Sequence, residues 1–188
     1  MRVFLAVSCG EQLTKVLTTA LDKWRTGPGG EQPLRWVRPE AWHLTLQFLG
    51  DWPPERLSTL ETGLERVRDQ SAFSLYPGLV GGFPNLESPR VLFLHMEDDG
   101  QVSGLARRVR EIVNETWSDG PQDKRDFRGH LTLARIKGRL PGSGVNLLQN
   151  LELNDLPPVQ VSGFSLMASE LRPQGPLYRE LAFYALRK

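Results

Sequence analysis

The sequence predicts an α+β fold of two related lobes, each a sheet flanked by helices, packed against one another. Three observations predict it. The tetrapeptide His43-Leu44-Thr45-Leu46 recurs unchanged as His130-Leu131-Thr132-Leu133, 87 positions later. Upstream, Arg2-Val3-Phe4-Leu5 has a counterpart in Arg90-Val91-Leu92-Phe93-Leu94, displaced by 88. Each apolar run is then followed by the same succession of amphipathic helix, polar loop and second strand. Matches in one order, at an offset close to half of 188 residues, mark a duplication. The lobes are expected over about 1–85 and 86–188 of a single domain, with strand exchange between them allowed.

The elements follow in order. Val3 to Val7 is a short apolar strand. Leu13, Val16, Leu17, Ala20, Leu21 and Trp24 keep the i, i+3, i+4, i+7 spacing of a helix with one apolar face. Gly27 to Pro33 is a polar loop leading into a strand at His43 to Leu49. Pro53-Pro54 opens a helix over Glu55 to Asp69, with Leu57, Leu60, Leu64 and Val67 inward. Ala72 to Tyr76 alternates as a strand, and Gly81-Gly82-Phe83-Pro84 reads as a turn. In the second half, Val102, Leu105, Ala106, Val109, Ile112, Val113 and Trp117 mark a helix. Ser118 to Asp123 is its loop, and His130 to Ile136 the strand that follows. Val145, Leu147, Leu148 and Leu151 mark a shorter helix, and Val159 to Leu166 and Leu181 to Leu186 further strands.

Apolar residues make up 39% of the chain and charged residues 24%, which excludes wholesale disorder. The first apolar run is too short for a signal peptide or a membrane span. A single cysteine, Cys9, excludes an intramolecular disulfide and fits a reducing compartment. The expectation is a soluble cytoplasmic protein that needs no membrane and no obligatory protein partner, since a monomer with two matched lobes can assemble a whole site. A formal charge of +1 excludes a polycation, so contact with nucleic acid has to come from a local patch. Lys124, Arg125, Arg128, Arg135, Lys137 and Arg139 supply one against the single acid Asp126, and they bracket the second tetrapeptide. Arg35 and Arg38 precede the first. This charge favours an anionic substrate.

Side chains on a strand alternate faces. In His-Leu-Thr-Leu the histidine and threonine share one face, and the leucines point to the core. Each lobe then presents an imidazole with a hydroxyl, and a pseudo-twofold arrangement turns both pairs toward one cleft. Two histidines facing across an anion suit concerted acid–base chemistry: one accepts a proton while the other donates one. The threonines can bond the oxygens on which charge develops. A lone His-x-Thr in a strand is ordinarily a cross-strand pair without chemistry; the repeat of both polar pairs changes that. Metal binding competes weakly, with three histidines, no His-Glu-x-x-His and no cysteine pair; a two-histidine site completed by distant carboxylates is the remaining form. His95 reads as a packed or surface strand residue, Cys9 as an inert small one, and no phosphate-binding glycine loop occurs.

The two motifs resemble those of the 2H phosphoesterase superfamily, which is defined by paired His-x-Thr-x motifs in a duplicated α+β fold. Within it the chain is most similar to the bacterial and archaeal RNA 2′,3′-cyclic phosphodiesterases, formerly called 2′-5′ RNA ligases. The likeness runs nearly end to end. It takes in Arg2-Val3-Phe4-Leu5-Ala6-Val7, Trp36-Val37, His43 through Gly50, Gly82-Phe83-Pro84, Gly129 through Arg135, Ser169-Glu170-Leu171 and Gly175-Pro176-Leu177-Tyr178. The resemblance implies antiparallel sheets around a central cleft. It implies opening of a terminal RNA 2′,3′-cyclic phosphate to a 2′-phosphate with neither metal nor cofactor, and ATP-independent ligation in the reverse sense. It makes His43 the general acid, His130 the general base, and Thr45 and Thr132 holders of the nonbridging oxygens. It links Arg135 to phosphate and Phe48 to base. Regular alternation puts Arg135 out of phase with His130 and Thr132, and Phe48 with His43 and Thr45. A bulge, twist or strand end is needed to bring them to the cleft. Two alternatives stay open: a related phosphodiesterase acting on small cyclic nucleotides or oligoribonucleotide ends, and a non-catalytic RNA-binding module.

Overall fold

A computed structural model describes residues 1–27, 32–120, 126–138, 140–151, 153–172 and 175–188. Lys124, Arg125 and Arg139 of the basic stretch lie outside these residues. In chain order the elements are β1 (Arg2–Ser8), α1 (Gly10–Arg25), β2 (Leu34–Trp36), β3 (His43–Asp51), α2 (Leu57–Leu64), β4 (Phe73–Phe83), β5 (Val91–Glu97), α3 (Gln101–Thr116), β6 (His130–Ile136), α4 (Gly142–Gln149), β7 (Val159–Val161), β8 (Gly163–Arg172) and β9 (Gly175–Ala185). All strands pair antiparallel with their neighbours, in the order β7-β4-β5-β6-β3-β1-β8-β9, and β2 adds to β6.

This order is two sheets meeting at one seam. Only Leu44 of β3 pairs with Leu131 of β6. On one side of the seam β3 joins β1, which joins the C-terminal hairpin β8-β9; on the other, β6 joins β5, and β5 joins β4 from the first half. The helices cross over as well. α1 leaves the first sheet and packs on β7, with Trp24 edge-on to Trp36 of β2, ring centroids 5.5 Å apart. α3 leaves the second sheet and packs on β3 and α2. Leucines form most of the shared core: Leu5, Leu13, Leu17, Leu21, Leu60, Leu64, Leu92, Leu94, Leu131, Leu133 and Leu166 are each at most 1% exposed. Every leucine of the two tetrapeptides is buried there, as strand alternation requires.

Three expectations need correction. The helix expected over Glu55 to Asp69 is α-helical only through α2, with a short 3₁₀ turn on each side at Pro54–Arg56 and Glu65–Asp69. Gly81-Gly82-Phe83 is not a turn but the end of β4, paired with Phe93, Leu92 and Val91. Glycine suits that strand because a Cβ on Gly81 would lie 2.5 Å from the Phe93 ring, which covers it. Finally, the 88-residue offset between the opening strands is a slip of one. Ser8 lies opposite His43 and His95 opposite His130, so the structural offset is 87 there too. One residue of slip would turn every side chain to the wrong face.

Candidate active site

β3 and β6 run antiparallel through the Leu44–Leu131 pair. One step to either side, the same register sets His43 by Thr132 and Thr45 by His130. All four lie on the face opposite the buried leucines, half-buried around one point. Each imidazole is anchored in the same way. His43 Nδ1 lies 2.8 Å from the Ala41 carbonyl oxygen, and His130 Nδ1 lies 2.7 Å from that of Arg128. A carbonyl accepts only, so Nδ1 carries a hydrogen in both rings, and in the neutral form Nε2 carries none. Ala41 ends a 3₁₀ turn begun by Pro39, which fixes that carbonyl two residues before His43. On the other side Gly129 has no room for a side chain: a Cβ there would lie 2.7 Å from the Met96 carbonyl oxygen.

Aromatic rings flank each histidine. Phe4 and Tyr178 stand 4.8 Å and 5.1 Å from His43, while Phe83 and Phe93 stand 5.2 Å and 5.4 Å from His130. The consequence for His43 is a lowered pKa. Desolvation by its surroundings is the main cause and the His130 charge adds to it, against the hydrogen bond to Ala41. His43 should therefore titrate below the ordinary histidine value of about 6.5. Replacing His130 with glutamine should move it back upward by removing the like charge. A ¹H–¹⁵N NMR titration reads both shifts, and a His43 midpoint at or above the ordinary value contradicts the desolvation argument.

The phase problem of Phe48 and Arg135 is resolved by two matching bulges. In the β1–β3 ladder Ala6 faces Thr45 but Leu5 faces Gln47, which leaves Leu46 as an extra residue. In the β5–β6 ladder Phe93 faces Thr132 but Leu92 faces Ala134, which leaves Leu133 extra. After each bulge two consecutive residues are buried, Leu46-Gln47 and Leu133-Ala134, and the next one is exposed. Those next residues are Phe48 and Arg135, returned to the face of the histidines. Phe48 is 52% exposed and its ring lies 6.2 Å from Phe4, which also touches His43. Gln47 serves the first bulge from beneath, its amide donating to the Phe48 carbonyl and accepting from Arg110 of α3.

Two neighbours were not anticipated. Tyr178 of β9 touches His43 and Phe4 and lies near Arg135; burial raises its phenol pKa and the Arg135 charge pulls against that. Only the pairing of β9 with β8, and of β8 with β1, brings it here, so no local pattern could reveal it. His95, far from both motifs in sequence, stands directly across from His130 and packs on Phe93 at 4.8 Å. Cys9 is buried, which pushes its thiol up to about 12. Among the described residues no three histidines, cysteines or carboxylates converge, and no helix is long and apolar enough to cross a membrane.

Comparison with known proteins matches this geometry. The family model described as LigT like phosphoesterase fits the chain twice, over residues 15–93 and 98–178. An RNA 2′,3′-cyclic phosphodiesterase of Archaeoglobus fulgidus is 32% identical over 184 residues, spanning 98% of this chain and 99% of that protein. One from Thermus thermophilus is 34% identical over 197 residues, spanning 100% and 91%. Among solved structures, a Thermus thermophilus protein, TT0787, superposes with a TM-score of 0.78 at 33% identity, over 100% of this chain and 98% of that one. E. coli LigT complexed with 3′-AMP superposes with a TM-score of 0.75 at 25% identity, over 100% and 98%.

Proposed function

The chain belongs to the LigT-like phosphoesterase family, and on that premise we propose that it opens RNA 2′,3′-cyclic phosphate ends to 2′-phosphomonoesters by metal-independent acid–base catalysis. The observation that carries the reading is the pair of equivalent imidazoles, each with Nδ1 held by a carbonyl two residues back and each sharing a face with a threonine. Relatives named RNA 2′,3′-cyclic phosphodiesterase support the substrate.

In this reading the phosphate lies over the seam. His130 Nε2 takes a proton from water as the water oxygen bonds to phosphorus. The bond from phosphorus to the 3′ oxygen breaks, and His43 Nε2 delivers the proton that oxygen needs to leave as a hydroxyl. Ring strain in the cyclic ester and protonation of the leaving group serve in place of a metal ion. The lowered pKa of His43 makes its protonated form the readier donor, and the anionic phosphate offsets the lost hydration of that charge. Thr45 and Thr132 donate to the nonbridging oxygens. Arg135 balances the phosphate charge, and the exposed Phe48 ring receives the terminal base. The duplication is symmetric, so the acid and base labels come from the family likeness. Run backward, the same steps join a cyclic end to a 5′-hydroxyl without ATP; water in bulk favours hydrolysis. The site is complete in one chain and needs no partner subunit.

Purified protein incubated in EDTA with a short RNA ending in a 2′,3′-cyclic phosphate should convert all of that end to a monoester, with a pH–rate profile of two limbs. Activity abolished by EDTA and restored by a divalent ion contradicts the metal-free reading. Salt-sensitive binding without turnover points instead to an RNA-binding module.

A further inference from the structure

The β2–β6 ladder places Arg35 directly opposite Arg135. Residues so placed share a face with Cβ atoms about 4.5–5.5 Å apart, and like charges there are destabilising. Leu34 and Trp36, on either side of Arg35, pack on the core, which leaves Arg35 on the open face with Arg135. Both side chains belong to exposed residues, and among the described residues neither has a hydrogen bond or an ion pair. The neighbouring Arg172 differs: it lies across from Gly175 and is held by Glu170 at 3.1 Å. Gly175 makes room for the Arg35 guanidinium, since a Cβ there would lie 3.3 Å from its Nη2. Two unneutralised arginines thus stand at paired positions beside the catalytic residues, Arg135 on the strand of His130 and Arg35 on the strand next to it.

We propose that Arg35 and Arg135 form a second phosphate subsite that holds the phosphodiester on the 5′ side of the terminal nucleotide. Through it the protein selects an RNA strand end over a cyclic mononucleotide. The inference rests on the catalytic reading above, because a terminal cyclic phosphate over the seam leaves a strand only one further phosphate on its last nucleotide, at the 5′ carbon. Arg135, in phase with Thr132 and His130, stands between the two phosphates; Arg35 lies one strand spacing farther out, about 4.8 Å at the backbone, and its long side chain spans the rest of the distance to the neighbouring phosphate. An anion between the two guanidinium groups turns a repulsion into two charge-assisted, bidentate contacts.

The test compares adenosine 2′,3′-cyclic phosphate with the dinucleotide ApA bearing the same cyclic end, and with that dinucleotide carrying a neutral methylphosphonate link. The readout is the ratio of kcat/KM for dinucleotide over mononucleotide. It should favour the charged dinucleotide, fall with the neutral link, and fall about 10-fold in Arg35→Gln, with Arg35→Lys recovering part of the loss. Binding of uncleavable ApA 2′-phosphate should lose about 0.7 from its log–log salt slope in Arg35→Gln. Arg35→Gln should melt no lower than the parent protein, because a like-charge neighbour is removed. An unchanged ratio, or an equal response to the charged and neutral links, overturns the subsite. If the parent protein turns over neither cyclic substrate, the catalytic reading falls, and the salt slope alone then decides for or against the subsite.

Discussion

Replacing His43 or His130 with alanine is expected to lower kcat/KM on an RNA 2′,3′-cyclic end by about 10²–10⁴-fold each. The loss should fall on kcat, with KM little changed, because proton transfer is felt only in the transition state. Acid and base act in one step, so the double variant should lose little more than the worse single one. Multiplying losses would mean that the two histidines serve separate steps. Folding should survive, since each ring makes its anchoring hydrogen bond to a backbone carbonyl of its own segment and stands on the open face of its strand. Thermal melts of the variants check this, and full turnover in both alanine variants would end the mechanism.

The second large effect lies beneath the site. Leu44 and Leu131 are the sole β3–β6 pair among the described residues, and they are 2% and 0% exposed. Truncating either to alanine should destabilise the fold by about 2–5 kcal/mol, from lost burial and the cavity left behind. A double-mutant cycle measured by denaturant unfolding should show a coupling of about 0.5–3 kcal/mol, since the side chains meet across the seam. Activity should fall as well in whatever fraction stays folded. The seam lies directly beneath the two imidazoles and helps set their separation, and a displacement of about 1 Å can cost roughly 10²-fold in rate. Additive destabilisation would show that the lobes are held in register by other contacts.

What could be read from the sequence divides along local and nonlocal lines. The helical periodicities near Leu13 and Val102 became α1 and α3, and His130 to Ile136 is β6 residue for residue. Those segments carry their own signal, in the 3.6-residue spacing or in alternation around the motif. The bulges at Leu46 and Leu133 carry none: a run of Leu-x-Leu is compatible with an uninterrupted strand, and only the partner strand one residue short exposes the interruption. Alternation could say that Phe48 and Arg135 were out of phase, but not how the chain corrects it. β2 is three residues long, and the hairpin over residues 169–172 and 175–180 buries no side chain on either face, with Leu171 and Leu177 left exposed, so neither shows the apolar alternation of a half-buried strand. Tyr178 and Arg35 reach the cleft through those two elements, which is why their places emerge only in the folded chain.

The family explains why the motifs repeat; the geometry says what each copy contributes. Both supply an imidazole with a fixed tautomer, a hydroxyl on the same face and a bulge that returns to that face the residue five positions after the histidine. They differ in that residue, an aromatic ring on one side and a guanidinium on the other, which the proposed function assigns to base and phosphate.

The most direct measurement is to hydrolyse an RNA 2′,3′-cyclic end in ¹⁸O-labelled water with EDTA present and map the product. The mechanism predicts one ¹⁸O in a phosphate carried on the 2′ oxygen, with formation lost in His43→Ala. A 3′-phosphate, or label outside the phosphate, would contradict it.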